Sequence, residues 1–322
     1  MDMKSALITG IHGFAGSYLC RNLLHQGFRV LGIDRNESPA MQGIDWPRDQ
    51  LDVLCTDLND TDRIRSFLEN RLNNQPIDYI FHLAGSAFVP ASWKSPASVL
   101  QNNTLATIKL IEIARDAGWQ GRFLVVSSSD VYGSQPASAM PLTENASTAP
   151  ESPYAGSKLA AEKFALYYNK DGIDVIIARP FNHIGPGQNE LFAVPAFMQR
   201  IRKALQSGQK SMDVGDLEST RDFTDVRDVV EGYRVILEKG AAGAVYNVCS
   251  GRHWTIRSIL EMIFDAAGCR LELQVKSDLL RNEGTTVRYG SSDKLQALGW
   301  HTAHSLESAI QDMWDYIGQT RV

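Results

Sequence analysis

Tyr154 and Lys158 stand four residues apart, a spacing that puts both side chains on one face of a helix. An ammonium beside a phenol favours the phenolate and lowers a pKa that is ordinarily ~10. A phenol tuned in this way can exchange a proton with a hydroxyl or a ketone near neutral pH. A second group, Ser127-Ser128-Ser129-Asp130-Val131-Tyr132-Gly133, directly follows an apolar run. A hydroxyl at such a strand end can orient a substrate oxygen toward the phenol, because ligands of parallel sheets bind at the carboxyl ends of the strands. A third group, Thr9-Gly10-Ile11-His12-Gly13-Phe14-Ala15-Gly16, carries glycines at positions 10, 13 and 16. The first glycine permits a tight strand-to-helix turn, the second a close backbone approach to a pyrophosphate, and the third close packing of helix on sheet.

Asp34 follows about 20 residues later, where an acidic residue binds the ribose of a dinucleotide. Its carboxylate suits the two ribose hydroxyls of NAD and repels a 2′-phosphate, whereas Arg35 suits that phosphate. The choice between NADH and NADPH stays open between them. Asp57-Leu58 can meet the adenine edge or begin a helix.

These groups need elements to hold them. Apolar runs at 5–9, 29–33, 52–56, 79–83, 123–127 and 175–178 predict strands. Amphipathic stretches at 15–26, 63–72, 99–117 and 154–168 predict helices between them. The alternation predicts an α/β protein with a Rossmann-type, doubly wound parallel sheet. Past residue 179 the rhythm loosens. We expect a dinucleotide-binding domain over 1–180 and a smaller, mainly substrate-binding lobe over 181–322, with some segments returning to the first. The stretch 134–153, rich in Pro, Ser and Ala, has the length of a functional lid.

Composition narrows the function classes. The 322 residues carry a formal charge of −5, are 43% hydrophobic and 21% charged. That balance argues against a nucleic-acid or anionic-membrane binder and against disorder. No apolar run approaches the ~18 residues of a membrane span. The four cysteines, Cys20, Cys55, Cys249 and Cys269, form no C-x-x-C, and the first ten residues have no signal-peptide pattern. A cytoplasmic location is the expectation. His301 and His304 read as surface histidines and no metal is expected; Trp119, Trp254 and Trp300 read as packing.

Taken in order and at these separations, the three groups resemble the extended short-chain dehydrogenase/reductase family of nucleotide-sugar epimerases, dehydratases and reductases. The likeness extends through His82-Leu83-Ala84-Gly85, Arg179 to Gln188, Arg221 to Asp228 and Tyr246 to Gly251. The wording at 181–188 is most similar to the branch that reduces GDP-4-keto-6-deoxy-D-mannose. The resemblance implies Tyr154 as the acid–base residue, Lys158 on the nicotinamide ribose and Ser128 at the sugar C4 oxygen. It implies a cofactor site of Gly10, Gly13, Phe14, Ala15, Gly16, Asp34, Arg35, Asp57, Leu58, Leu83 and Ala84, with Tyr154 and Lys158. Ser129, Asp130, Asn182, Arg221 and Arg281 would face the nucleotide-diphosphate sugar. Two positions depart from the family pattern: Arg281-Asn282-Glu283-Gly284 replaces Arg-Pro-x-Glu, and Ala87 stands where a serine is usual. The implied reaction is NAD(P)H-dependent reduction of a 4-keto-6-deoxy sugar by a homodimer, giving GDP-D-rhamnose. A C4 epimerase with tightly held NAD uses the same residues, and an NAD(P)-sensing protein without catalysis is a third reading.

Overall fold

The computed structural model describes residues 3–37, 50–74, 76–277 and 286–319. Its centre is a seven-stranded sheet, with β1 at Ser5–Thr9, β2 at Arg29–Asp34, β3 at Leu51–Cys55, β4 at Tyr79–His82, β5 at Arg122–Val126 and β6 at Asp174–Pro180. The seventh strand, Val245–Val248, comes late in the chain. It pairs with the outer edge of β6, so the order is Val245–Val248, β6, β5, β4, β1, β2, β3, all parallel. β1 is buried along its whole length, as expected of a parallel strand covered on both faces. The sheet is the Rossmann-type sheet that the alternation predicts, and the six early strands appear where the apolar runs lie. The seventh is a four-residue strand with no alternation of its own to mark it.

Helix α1, Phe14–His25, and the helix Val226–Lys239 pack on one face, with Leu19, Leu23, Val230 and Tyr233 in the shared core. Helices α2, Thr61–Asn74, and α5, Ala106–Asp116, cover the other through Ile64, Leu68, Leu110 and Ile111. A separate cluster unites the helices Ala193–Ser207, Ile256–Ala267 and Leu306–Gln319 around Met198, Ile263 and Ile310. The segment past residue 180 is therefore divided. Its helix Val226–Lys239, its strand Val245–Val248 and the buried Trp300 belong to the core of the large sheet.

The stretch predicted as one helix over 99–117 is interrupted. After two short helices, α3 at Val89–Lys94 and α4 at Pro96–Leu100, a π-helical turn at Gln101–Leu105 leads into α5. Such turns loosen the backbone ladder and recur at functional sites. Here Asn103 on the turn is drawn outward by side-chain hydrogen bonds to neighbouring segments. Helix α6, Pro153–Ala165, begins with Ser152 as its N-cap, its Oγ accepting from the Ala155 N–H. It carries both Tyr154 and Lys158.

The 134–153 stretch is a pinned strap rather than a loose flap. Leu142 is fully buried beside Tyr132, Phe181 and Cys249, and its N–H and C=O bond to Tyr289 and Ser291. Gly133, at φ +64°, lets the strap pass, since a Cβ there would overlap the Ala149 carbonyl. Among the described residues no helix is long and apolar enough to cross a membrane.

Candidate active site

The strand order reverses between β1 and β4, which puts the site at the carboxyl ends of those strands. Gly10 ends β1 at φ +72°, and its N–H is held by the Ile33 carbonyl at 2.8 Å. A Cβ at Gly16 would overlap the Gly10 carbonyl oxygen, so the turn closes only with glycine there. Gly13 is the N-cap of α1 and offers no side-chain cap. The first-turn N–H groups, at Phe14, Ala15 and Gly16, are thus presented to the site, where they suit a phosphate. The Phe14 ring stacks on His183 at 5.9 Å, and Tyr18 Oη donates to the Pro186 carbonyl at 2.9 Å. Both contacts bring the 181–188 segment over the glycine turn.

At the end of β2 each carboxylate oxygen of Asp34 accepts one backbone N–H, Oδ2 from His12 and Oδ1 from Asn36, both at 2.9 Å. The buried Asp34 therefore braces the glycine turn. Arg35 is exposed beside it. Asp57 is near enough to Arg35 to feel its charge; the Asn59 N–H first, and Arg35 in lesser part, hold its carboxyl below the usual range. Leu58 is half-buried next to it. Leu83 and Ala84 follow β4, their N–H groups held by the Thr9 carbonyl and hydroxyl. The structure thus gathers the glycine turn, Asp34, Arg35, Asp57, Leu58, Leu83 and Ala84 around the carboxyl ends of β1, β2 and β4.

A buried polar chain that spacing alone does not mark lies below these residues. The Ala84 N–H donates to Thr9 Oγ1, which is 2.7 Å from His82 Nδ1; His82 Nε2 is 2.8 Å from Thr107 Oγ1, which donates to the Asn103 carbonyl at 2.6 Å. Burial, with the charge of Lys158, pushes His82 down to about 3, so the ring is neutral. One assignment of protons satisfies every member: Nδ1 accepts and Nε2 donates. The Asn103 side chain in turn fixes Ser86 on both its N–H and its C=O, and donates to Ser157 Oγ on α6 at 2.9 Å.

The reactive groups meet above this chain. Ser128 follows β5 as the cap of the turn Ser129–Tyr132, and its hydroxyl acts on the Tyr154 phenol to lower its pKa. Burial raises Tyr154 well above the ordinary phenol value; the Ser128 bond pulls it back and the Asp130 charge adds to the rise. Lys158 Nζ donates to the Val126 carbonyl at 2.8 Å, so the ammonium is anchored on β5 rather than on the phenol. Burial pushes Lys158 down to about 8, against the pull of Glu162. The phenol therefore stays protonated at neutral pH and is placed to donate.

On the opposite wall, Asn182 lies in the short strand Asn182–Ile184, paired with Phe223–Asp225, and donates to the Asp222 carbonyl at 3.1 Å. Arg221 is held to Thr286 through its carbonyl and Oγ1, at 3.0 and 2.7 Å. Asp222 points the other way. It accepts from the N–H groups of Ser250, Gly251 and Gly290 and from Ser250 Oγ, and burial raises it to about 6 against those donors. Ser129 is buried in the turn after Ser128. Asp130 is paired with Arg288, Nη1 to Oδ1 at 2.6 Å, a residue that the sequence reading does not single out. Ala87 is exposed ahead of α3. Arg281, with Asn282, Glu283 and Gly284, lies outside the described residues. His304 is not a plain surface group: its Nδ1 is 2.7 Å from Asp228 Oδ1.

A parallel Rossmann-type sheet, a glycine-turn cradle and a buried Ser–Tyr–Lys set define an extended short-chain dehydrogenase/reductase, an oxidoreductase-type enzyme. Residues 7–313 match the family described as GDP-mannose 4,6 dehydratase, and the chain belongs to that family. A GDP-6-deoxy-D-mannose reductase of Pseudomonas aeruginosa is 39% identical over 237 residues, 73% of this chain and 78% of that one. The structure of RMD from Pseudomonas aeruginosa complexed with NADPH superposes with a TM-score of 0.82 at 33% identity, covering 98% of both chains. A Thermus thermophilus UDP-glucose 4-epimerase complexed with NAD has a TM-score of 0.83 at 26% identity, over 98% of this chain and 100% of that one.

Proposed function

We propose that the chain reduces the C4 keto group of a nucleotide-activated 4-keto-6-deoxy sugar with NAD(P)H, taking GDP-4-keto-6-deoxy-D-mannose to GDP-D-rhamnose. The nicotinamide, when bound, supplies the hydride. The chain's own part is orientation and proton delivery. Lys158, anchored on β5, faces the ribose. Tyr154 gives its proton to the C4 oxygen as charge develops there, and the Ser128 hydroxyl stabilises that oxygen. The reductase of Pseudomonas aeruginosa and the NADPH-bound neighbour support this reading.

The observation that carries reduction over 4,6-dehydration is the Asp130–Arg288 pair. Dehydration needs a base for the C5 proton and an acid for the C6 hydroxyl. The related dehydratases place a glutamate at the position of Asp130. Here the shorter Asp130 is drawn toward a guanidinium, and its neighbour Ser129 is a poor acid. Reduction needs neither group. Incubation of the protein with the keto sugar and NADPH or NADH should oxidise the cofactor, and GDP-mannose alone should be left unchanged. Conversion of GDP-mannose to the keto sugar without cofactor oxidation on the keto sugar would overturn the reading.

We also propose a homodimer, acting in the cytoplasm. Helices α3 to α6 are neighbours and leave Trp93, Leu100, Leu105 and Phe164 exposed, with Tyr167 just past α6. An apolar face of this kind suits a second copy of the same chain. A monomeric mass by light scattering at micromolar concentration would refute it.

A further inference from the structure

The catalytic set leaves one ion pair of the cleft without an assigned task. Asp130 stands two residues beyond Ser128, its N–H donating to Ser128 Oγ at 3.1 Å, and its charge reaches Tyr154. Arg288 comes from the other wall. It lies in the strand Val287–Arg288, in parallel register with Thr220–Arg221, so that Arg288 sits directly beside Arg221. Partners in adjoining strands project from the same face, about 4.8 Å apart. Thr286, two residues before Arg288 and so on that same face, is the residue that receives the Arg221 guanidinium. Asp222, the next residue along from Arg221, points to the opposite face and into its backbone nest. Arg221, Thr286 and Arg288 therefore share a face, and the 2.6 Å bond from Arg288 to Asp130 shows that this face looks across the cleft at the catalytic turn.

A guanidinium carries five N–H donors in a rigid fork. Hydrogen bonds to the described residues engage only Nη1 of Arg288. Its side chain keeps 21% of its exposure, and that of Asp130 keeps 33%, so the pair borders open space rather than core. Without the guanidinium, Asp130 would present an uncompensated negative charge to a substrate that itself carries a diphosphate.

Resting on the reading of this site as a nucleotide-sugar reductase, we propose that Arg288 contacts the substrate and helps set its specificity. It offers its remaining donors to the sugar–diphosphate end, between Arg221 and Tyr154. Asp130 is a positioning residue that acts through Arg288, removing in advance the rotamer freedom that a long side chain would otherwise lose on binding.

The test is steady-state kinetics with GDP-4-keto-6-deoxy-D-mannose and NADPH on the wild type, Arg288→Lys, Arg288→Met, Asp130→Asn and the double variant Asp130→Asn/Arg288→Met. Loss of a charged hydrogen bond should raise KM for the sugar about 10- to 100-fold in Arg288→Met. The KM for NADPH should not move, and kcat should change far less than the sugar KM. Arg288→Lys should recover part of the loss, and it carries the test if the Met variant does not fold. Asp130→Asn should raise the sugar KM in the wild-type background and add little in the Arg288→Met background. An unchanged sugar KM in a folded Arg288→Met protein overturns the contact. Equal cost of Asp130→Asn in both backgrounds overturns the positioning role. If the wild type itself fails to oxidise NADPH with the keto sugar, the reductase reading falls instead. Calorimetric binding of GDP-mannose to wild type and Arg288→Met then still decides the contact.

Discussion

Glu162 and Arg179 form a two-point ion pair beneath the catalytic helix, Nε to Oε1 at 2.9 Å and Nη2 to Oε2 at 2.7 Å, with side chains 1% and 4% exposed. Glu162 is one turn past Lys158 on α6, and Arg179 is on β6. The Arg179 guanidinium also lies 4.8 Å from the centre of the Tyr132 ring, and Tyr132 Oη donates to Asn247 Oδ1 at 2.7 Å. The helix that carries the phenol is thereby fastened to β6 and, through Tyr132, to the outermost strand of the sheet.

Removing one partner of a fully desolvated pair leaves the other charge bare. Glu162→Ala should therefore cost about 3–5 kcal/mol in stability. The double replacement Glu162→Leu/Arg179→Met should cost much less, because no charge is stranded. Urea unfolding of the three proteins checks this, and equal losses in the single and double variants would be the wrong outcome.

Tyr154→Phe removes one hydroxyl and keeps the ring packing. Loss of a positioned proton donor should lower turnover about 10²- to 10⁴-fold with cofactor affinity nearly unchanged. Near wild-type turnover in the variant would remove Tyr154 from the chemistry.

Lys158 titrates at about 8 when folded, below its ordinary 10.5. The unfolded chain therefore holds that proton more tightly. The group's penalty on stability is complete below pH 8 and is relieved as pH rises from about 8 toward 10.5. Relative to Lys158→Met, the wild type should gain stability on going from neutral to alkaline pH, by an amount on the order of 3 kcal/mol at full relief. Over the same range the cofactor KM of the wild type should rise, as the ammonium proposed to face the ribose is lost. Thermal unfolding at several pH values, beside cofactor titrations, reads both trends.

Asp34→Ala should improve NADPH relative to NADH by removing a charge that repels a 2′-phosphate. It also strands the N–H groups of His12 and Asn36, so the variant should be less stable by about 1–3 kcal/mol. An unchanged cofactor ratio would place Asp34 outside the ribose pocket.

The parts of this site that can be read from the sequence are those whose geometry is local. Gly10 needs a positive φ and Gly16 needs a missing Cβ, so spacing reveals the turn. Tyr154 and Lys158 are one helical turn apart, so their shared face follows from number alone. The partners of these groups are not local. His82 reaches Thr9 and Thr107 across a folded sheet. Arg288 meets Asp130 across 158 positions of chain, and no periodicity records that meeting. The π-helical turn at Gln101–Leu105 is legible only once Ser86 and Ser157 are in place to draw Asn103 out. The Val245–Val248 strand is short, and only the free edge of β6 makes it a strand.

The Asp222 nest ties together three segments that are far apart along the chain: the end of the Thr220–Arg221 strand, the Ser250–Gly251 turn and Gly290. One carboxylate joins them at this point, beside the strap residue Leu142, which holds Tyr289 and Ser291 on either side of Gly290. The amide protons of Ser250, Gly251 and Gly290 should then leave in a single opening event, exchanging with solvent deuterium at a common rate. Burial holds Asp222 at about 6 in the closed wall, above its ordinary 3.8, so protonating it in mildly acidic solution favours the closed form. The shared opening, corrected for intrinsic exchange, should become rarer for all three as pH falls from about 6 toward about 4. The wall proposed to grip the diphosphate would then yield at this point as a unit rather than strand by strand.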